Sequence, residues 1–415
     1  SGMLSHTITG IGDGDVFDNS TALNASLVTD DQRAGLYIFG QNRHRSAYDH
    51  DGDGYSEIPK LHGQTIGFRS FLKTTTYSKL TFEYHHMEEF RRGGDLLNRP
   101  PHEANVAEQT EHSINGGGLK FDYFSPNENH RFNVFASAQH INRDSYYGPG
   151  DRDPLDAYGN TTDLNWMAGS QYVYSFGKCI FMPSDLTAGI EFNQDKLEDN
   201  MWVDQKVNIG SAFLQNEWKN DHWGFLIGGR LDKHNLIDHV IFSPRANLRY
   251  NPTENINLRF SYSSGFRAPQ AFDEDLHVEN VGGNVAMVEL ADNLKEERSQ
   301  SLSASADIYH RFGAFQVNFL VEGFYTKLSD VFALTDGEVV DGILTRTRYN
   351  APGARVMGLT LEGKMAYLTK FQVQAGVTLQ QSHYSEPHVW NKEAPAVKKM
   401  MRTPNTYGYF TATYT

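Results

Sequence analysis

The stretch "INLRFSYSSGF", residues 256–266, alternates between apolar and polar side chains. The apolar positions are Ile256, Leu258, Phe260 and Tyr262, and the polar positions between them are Asn257, Arg259, Ser261 and Ser263. Successive side chains of a β-strand point to opposite faces of the sheet. The stretch therefore predicts a strand with one apolar face and one polar face.

The same alternation recurs along the chain, for example in "QSLSASADIY" (300–309) and "KFQVQAGVTLQQS" (370–382). We count about seventeen to eighteen such segments, many of which reach the roughly 9–11 residues that a tilted strand needs to cross a bilayer. We expect the apolar rows to face lipid and the polar rows to line a lumen. The expected lumenal residues are Arg259, Gln316, Asn318, Glu322 and Gln374.

The links between these segments alternate in length. Short links are predicted at 29–32, 74–78, 125–130, 182–185, 220–222, 251–255, 310–313 and 367–370. Long polar links are predicted at 46–63, 88–112, 142–164, 193–206, 232–242, 266–298, 328–355 and 384–406. Short turns on one rim and long loops on the other are typical of up-and-down barrels of bacterial outer membranes.

Aromatic residues gather just before the short links. They are Tyr123, Phe124, Tyr174, Phe176, Tyr250, Tyr309, Phe312 and Tyr367. Such positions fit an aromatic girdle at the membrane surface. Ordinary enrichment of aromatic residues in strands is the alternative explanation.

Composition excludes several other classes of protein. The chain of 415 residues has a net charge of −14 and no basic run, which argues against a nucleic-acid partner. One cysteine, Cys179, cannot form an intramolecular disulfide framework. There is no run of 18 apolar residues that would predict a membrane-spanning helix. HExxH, GxSxG and P-loop motifs are missing from the sequence, so we do not expect an enzyme.

"SYSSGFRAPQAFDEDLH", residues 261–277, resembles the strand-to-loop signature of TonB-dependent outer-membrane receptors. The centre of the signature is Gly265, Phe266, Arg267, Ala268 and Pro269. "GGRLDKHN" (228–235), "NLKEERSQSLSASADIY" (293–309) and "RVMGLTLEGKM" (355–365) are similar to other strands of that family, in its order. The resemblance covers essentially the whole chain and is closest to receptors of Bacteroidetes bacteria. Glu296 stands where the family pattern usually has proline, a change that we expect to affect only a loop end.

The resemblance implies an all-β fold, a transmembrane antiparallel up-and-down barrel of the 22-stranded kind. It also implies uptake of a scarce nutrient with energy from the TonB complex. Cobalamin is the first choice, because receptors for cobalamin are similar to this chain in an aspartate-rich "DxDxDG" loop near the early strands; a ferric siderophore or haem follows. The implied partners are outer-membrane lipid, lipopolysaccharide, the nutrient and a surface lipoprotein. With about 17–18 strands and no segment resembling the plug, residues 1–415 are expected to be a barrel fragment. It would lack the N-terminal plug and some C-terminal strands.

The stretch "YDHDGDGYSEIPKL", residues 48–61, begins like the calcium loop of an EF-hand. Position 12, which requires a glutamate, is Lys60, so the stretch is not an EF-hand. Carboxylates and a backbone carbonyl can still converge on Ca²⁺, and the alternative is a solvated acidic loop. The predicted ligands are Asp49, Asp51, Asp53, Tyr55 and Glu57, with Asp151 and Asp153 as possible additions from a neighbouring loop.

We expect the aromatic residues of the long links to be exposed, and they are candidates for ligand contact because recognition surfaces concentrate such side chains. They are Tyr146, Tyr147, Tyr158, Trp202, Tyr349 and Trp390. Membrane anchoring or packing within the loops is the alternative for these rings. For the whole chain, two other functions stay open, a secreted calcium-binding β-protein or adhesin and an outer-membrane enzyme. The first would need a fixed sequence repeat, which we do not find.

Overall fold

A computed structural model describes residues 1–12, 14, 16–149, 158–200, 203–271, 285–335, 337–340, 343–389 and 395–414. Within these residues the chain is built from β-strands and one 3₁₀ turn, Pro101–Glu103, and has no helix long and apolar enough to cross a membrane. The strands are β1 (Gly2–Ile11), β2 (Val16–Val28), β3 (Ala34–Arg45), β4 (Ser56–Thr75), β5 (Ser78–Gly94), β6 (Val106–Phe124), β7 (His130–Pro149), β8 (Tyr158–Cys179), β9 (Met182–Asp199), β10 (Asp204–Lys219), β11 (Trp223–His234), β12 (Ile241–Thr253), β13 (Ile256–Arg267), β14 (Val285–Leu290), β15 (Glu297–Phe312), β16 (Phe315–Ser329), β17 (Val331–Leu334), β18 (Glu338–Val340), β19 (Ile343–Ala351), β20 (Ala354–Tyr367), β21 (Phe371–His388), β22 (Val397–Lys399) and β23 (Thr406–Tyr414).

One antiparallel up-and-down sheet contains nineteen of these strands. Strands β1 to β13 pair with their neighbours in chain order, followed by β15, β16, β20, β21 and β23. The remaining strand of this sheet, β22, has three residues and attaches to β21. The long strands therefore agree with the number predicted from the alternation, and the predicted all-β barrel architecture is confirmed.

The two faces of the sheet are those that the alternation predicts. Arg259 lies opposite Ser305, which in turn lies opposite Glu322, so the polar row crosses three strands on one face. The apolar row occupies the other face, where Leu302 is 41% exposed and Leu379 is 47% exposed. Apolar side chains of this size would be covered in a soluble protein. Here the outward face of the barrel carries them, as a surface in contact with lipid requires.

The strands are longer than predicted. β8 has 22 residues and β4 and β7 have 20 each, about twice the length that crosses a bilayer. Much of the long links predicted at 88–112 and 142–164 is therefore strand. Beyond the membrane both faces of a strand are wet, so the apolar alternation that identified the strands is lost there. The turn predicted at 182–185 was also misplaced, because β8 and β9 are joined at residues 180–181.

A second, smaller sheet was not predicted. It consists of β14, β17, β18 and β19, which belong to the links predicted at 266–298 and 328–355. β14 pairs in parallel with β19, and β17 pairs with β19 in the antiparallel sense. Two loops from different hairpins thus form one body on the long-loop rim. Because pairing between two distant loops has no local sequence signal, these segments looked like irregular connections.

Aromatic pairs mark the opposite, short-turn rim. Trp223 stacks on Tyr250 with ring centroids 4.1 Å apart, and Phe315 lies 4.8 Å from Tyr367. Each pair joins neighbouring strands beside a short turn. The rings therefore stand at the level where the girdle was expected.

Candidate functional site

The acidic loop at residues 49–57 connects β3 to β4, on the long-loop rim. Asp49 organises it, because its Oδ1 accepts the Gly52 amide at 2.7 Å and its Oδ2 accepts the Gly54 amide at 2.8 Å. Both glycines have positive φ angles, 78° and 90°, a conformation that other residues adopt at a cost. Glu57 closes the loop by accepting the His50 amide at 2.6 Å. The loop lies between strands, which agrees with the rejection of an EF-hand.

The carboxylates of this loop converge. Asp49, Asp51, Asp53 and Glu57 each offer an oxygen, and these four oxygens lie within 4.8 Å of one another. Calcium–oxygen distances are about 2.3–2.6 Å, so two ligands of one ion can be up to roughly 5 Å apart. The spacing thus fits a calcium ion. Tyr55 donates its amide to Asp53 Oδ1 at 2.8 Å, while Asp151 and Asp153 lie outside the described residues.

The four candidate aromatic residues that the structure describes are not gathered at one place. Tyr146 is 1% exposed and packs with Ala104 and Ala107, so its expected exposure was wrong. Tyr158 packs against this cluster with its ring centroid 5.0 Å from that of Tyr146. The reason is that the 95–105 loop, with its 3₁₀ turn, folds back over these rings. Tyr147 is half-buried on β7, and Trp202 and Trp390 lie outside the described residues.

Polar contacts hold the 95–105 loop in this position. Asp95 accepts the Val106 amide at 3.0 Å and the Asn105 side-chain amide at 2.6 Å. Burial raises the pKa of Asp95, but these hydrogen bonds outweigh burial and the net effect is a lowered pKa. His102 Nδ1 lies 2.9 Å from the Tyr158 hydroxyl. The Tyr146–Tyr158 cluster therefore serves loop packing in this structure.

The family signature marks the end of β13 and the entry to its loop. Gly265 and Phe266 are the last residues of the strand before Arg267, which lies opposite Glu297 of β15. Ala268 and Pro269 are buried. The following residue, Gln270, accepts a hydrogen bond from the Arg348 Nη1 through its backbone carbonyl at 3.2 Å. The signature thus fixes the loop of β13 to the small sheet.

Three arginines line a cavity of ≈ 560 Å³ between the small sheet and the end of β21. Arg267 and Arg348 each place the guanidinium carbon 5.8 Å from the centre of the Phe332 ring. Arg346 also lines the cavity, and its Nε is buried without a hydrogen-bond partner among the described residues. Of the six predicted aromatic residues, Tyr349 is the described one that lines this cavity.

Arg346 and Arg348 were missed by the sequence analysis. Their alternate positions in "TRTRY" (345–349) place them on the same face of β19, but the sequence predicts a long link, not a strand, at 328–355. The cavity is lined by these three arginines and by one acidic residue, Glu386, so its charged lining is mainly cationic and suits an anion. Arg267 was singled out only as part of the signature.

Glu296, expected to affect only a loop end, is buried and forms an ion pair with Arg298 at 2.6 Å. Burial raises the pKa of Glu296, but the hydrogen bonds from Arg298, from the backbone and from His239 outweigh burial, and the pKa is lowered. The departure from the family pattern therefore creates a contact between the β11–β12 loop and the start of β15.

Comparison with known families agrees with this architecture. The family model described as TonB dependent receptor-like, beta-barrel matches residues 6–415. The chain belongs to the TonB-dependent receptor family. Its sheet is therefore a barrel of the bacterial outer membrane, with the long loops on the extracellular side. No curated protein sequence matches this receptor barrel.

Solved structures share the fold of this receptor barrel. The siderophore receptor PirA from Pseudomonas aeruginosa matches with a TM-score of 0.72 at 13% identity, over 92% of this chain and 66% of that receptor. PirA from Acinetobacter baumannii matches with a TM-score of 0.73 at 14% identity, over 93% of this chain and 63% of that receptor. The alcaligin receptor FauA from Bordetella pertussis matches with a TM-score of 0.62 at 12% identity, over 100% of this chain and 64% of that receptor. The chain thus spans less than two thirds of the length of each of these receptors.

Proposed function

We propose that this barrel binds a scarce nutrient at its extracellular loops and imports it with energy from the TonB complex. The observation that carries the proposal is the family match over residues 6–415 on a sheet with one apolar and one polar face. The family is one of receptors, and no enzyme motif was found in the sequence. A secreted calcium-binding β-protein is disfavoured, because water would then contact the exposed apolar row of Leu302 and Leu379.

For the nutrient we propose an anionic ferric siderophore. The supporting observation is the cavity of Arg267, Arg346 and Arg348, whose charges match the carboxylates or catecholates of such chelates. The neighbour PirA is named a siderophore receptor, which is consistent with this choice. Cobalamin was favoured from the sequence by the aspartate-rich loop at residues 49–57. Because Asp49 accepts backbone amides of its own loop, we consider that loop weaker evidence for the nutrient than the arginine cavity.

We further propose that Ca²⁺ binds the acidic loop and stabilises it. The converging oxygens of Asp49, Asp51, Asp53 and Glu57 support this proposal, and the Tyr55 carbonyl is the additional ligand expected from the sequence. In this role the ion is structural. It would neutralise mutual repulsion among the carboxylates and hold one segment of the extracellular surface in place.

Uptake by cells tests the import function. The complete reading frame that contains this sequence would be expressed in a bacterium that lacks its own siderophore, haem and cobalamin receptors. Uptake of radioactive ferric siderophores, haem and cobalamin would then be compared with and without a functional tonB gene. We expect TonB-dependent uptake of a ferric siderophore. Uptake of none of the three, or equal uptake without TonB, would contradict the proposal.

A further inference from the structure

Four basic residues form a continuous row on the apolar face of the sheet, near its extracellular rim. Lys327 of β16 lies opposite Arg355 of β20, and Arg355 lies opposite His383 of β21. His383 lies opposite Lys399 of β22. Directly opposed residues share a face, so all four belong to one side of the sheet. It is the lipid-facing side, because Tyr325, two positions from Lys327, lies opposite Leu302 of the apolar row.

This basic row has no counterion among the described residues. Lys327 and Arg355 are exposed and form no ion pair or hydrogen bond with any described residue. Opposed side chains have Cβ atoms about 5 Å apart, and like charges at this distance destabilise a sheet. The Nδ1 atom of His383 is buried and has no hydrogen-bond partner in the described part of the chain. An anion above the row would supply the missing partners.

The chain offers an informative contrast on the same face. Lys196 of β9 lies opposite Lys206 of β10, a second pair of opposed cations near the extracellular rim. There, Glu198 neutralises Lys196 with a distance of 2.5 Å between Nζ and Oε1. Asp204 adds a further negative charge, which raises the pKa of Lys196 together with the larger effect of Glu198. The basic row of Lys327 and Arg355 has no such neighbours.

An apolar groove of ≈ 810 Å³ begins directly below the basic row. Its entrance is formed by Tyr325 and Met357, which are opposite each other and two positions closer to the bilayer centre than Lys327 and Arg355. Gly323 and Ala304 form a shallow floor, and a Cβ atom added at Gly323 would meet nothing within 4 Å. The larger outward-facing side chains around this floor are Phe260, Leu302, Leu359 and Leu379.

We propose that the basic row and the groove together bind a phosphorylated, acylated lipid of the outer leaflet. Its phosphate would lie among Lys327, Arg355 and His383, where charge-assisted hydrogen bonds are strongest. An acyl chain would run down the groove over Gly323, in contact with apolar side chains. Lipid A combines these two features, with phosphates directly above several acyl chains. A free phosphate would contact only the basic row, and a neutral lipid would contact only the groove.

Binding of diphosphoryl lipid A to the chain refolded in dodecyl maltoside tests the proposal. The double variant Lys327→Gln/Arg355→Gln should bind lipid A roughly 30-fold more weakly, since each basic residue at an anionic lipid surface is worth about a fivefold change. The control Lys196→Gln/Lys206→Gln removes the same charge from the same face. It should bind like the parent protein. Equal affinity of the parent and the first variant, or equal losses in both variants, would overturn the proposal.

A third variant tests the groove. Gly323→Leu fills the floor without a clash at Cβ, so this variant should fold normally. It should weaken binding of lipid A severalfold and leave any binding of inorganic phosphate unchanged. Binding of inorganic phosphate as tight as that of lipid A would show a simple anion site and overturn the proposal. Unchanged binding of lipid A by Gly323→Leu would also contradict the assigned groove.

Discussion

Glu296 binds Arg298 and contacts His239 through a single carboxylate oxygen. Oε1 of Glu296 accepts hydrogen bonds from the Arg298 Nε at 2.9 Å and Nη2 at 2.6 Å. The same oxygen lies 3.1 Å from the His239 Nε2, which belongs to the β11–β12 loop. This contact joins two extracellular segments that are 57 residues apart in the chain. Its strength depends on the ionisation of one buried acid.

The first prediction follows from that ionisation. Because the pKa of Glu296 is lowered, the acid stays charged in the folded protein at pH values where the unfolded chain begins to take up a proton. The contribution of the charged Glu296 to the free energy of unfolding is therefore complete above the pKa of the unfolded chain, about 4.5. It is lost as the pH falls through the lower pKa of the folded protein. Glu296→Gln should remove this contribution, so the variant should lose less stability than the parent between pH 7 and pH 3.

Hydrogen exchange of residues 235–240 and 291–300, corrected for the intrinsic rate at each pH, measures this effect locally. The parent should lose protection at pH 3, and Glu296→Gln should already show reduced protection at pH 7. Glu254→Gln, in the exposed turn between β12 and β13, is the matched control and should behave like the parent. The same pH response in the parent and in Glu296→Gln would refute the assignment.

The second prediction concerns the two faces of the barrel. Ala375 and Gln374 are neighbours on β21, with Ala375 on the lipid-facing side and Gln374 on the lumenal side. Ala375→Arg should lower the free energy of unfolding by about 2–4 kcal/mol, because an arginine must then enter hydrocarbon. Gln374→Arg should cost less than about 1.5 kcal/mol, since its side chain can still donate to the Tyr409 hydroxyl. Urea unfolding in detergent measures both, and equal costs would contradict the assigned faces.

The sequence alone predicts the parts of this fold in which apolar and polar residues must alternate along a strand. In β13, β15 and β21 lipid contacts one face and the lumen the other, so apolar and polar residues alternate and the strands were correctly predicted. β4, β7 and β8 continue outside the bilayer, where both faces are wet and the pattern disappears. β19 pairs in parallel with β14 of a distant loop, where Val285 lies opposite Ile343, so no local sequence pattern marks this pairing.

The candidate site was predicted less completely, for a related reason. The acidic loop was recognised because its residues are close in sequence, and Asp49 and Gly54 act within one turn. The arginine cavity combines Arg267 with Arg346, which lie on separate hairpins and share no local motif. Tyr146 was expected to be exposed, yet the 95–105 loop covers it. Spatial proximity between loops is the information that the sequence lacks.

The third prediction tests the arginine cavity. Arg346→Gln should weaken binding of a ferric tris-catecholate probe by roughly 10- to 100-fold, the range expected when a charged hydrogen-bond donor is lost. Arg33→Gln, in the exposed turn between β2 and β3, removes the same charge from the opposite rim and should leave binding unchanged. Fluorescence titration of the refolded barrel measures the affinities. If Arg346→Gln binds the probe like the parent, the cavity is not the site, whichever nutrient is imported.

The fourth prediction concerns calcium at the acidic loop. Four carboxylates lie within 4.8 Å of one another at their nearest oxygens, so their repulsion should be relieved by a divalent cation. Asp49 and Glu57 also hold backbone amides, and their substitution would disrupt the loop itself. Asp51 and Asp53 each accept an amide two residues further along the chain, at 3.4 and 2.8 Å, a local contact that an asparagine can keep, so they are better test positions. Calorimetric titration of the refolded barrel with Ca²⁺ should give a measurable heat and a single-site curve.

Asp51→Asn and Asp53→Asn retain the size and an acceptor oxygen of each side chain, so the loop should keep its shape while calcium binding weakens. We expect each substitution to lower the affinity at least roughly tenfold, because each removes one anionic ligand from a site whose affinity depends on ligand charge. Asp221→Asn, in the short turn between β10 and β11, controls for the loss of an exposed carboxylate on the other rim. Mg²⁺ should bind far more weakly, since it requires shorter bonds and near-octahedral geometry. No heat from the parent at millimolar calcium, or indistinguishable curves for the parent and both loop variants, would leave only a solvated acidic loop.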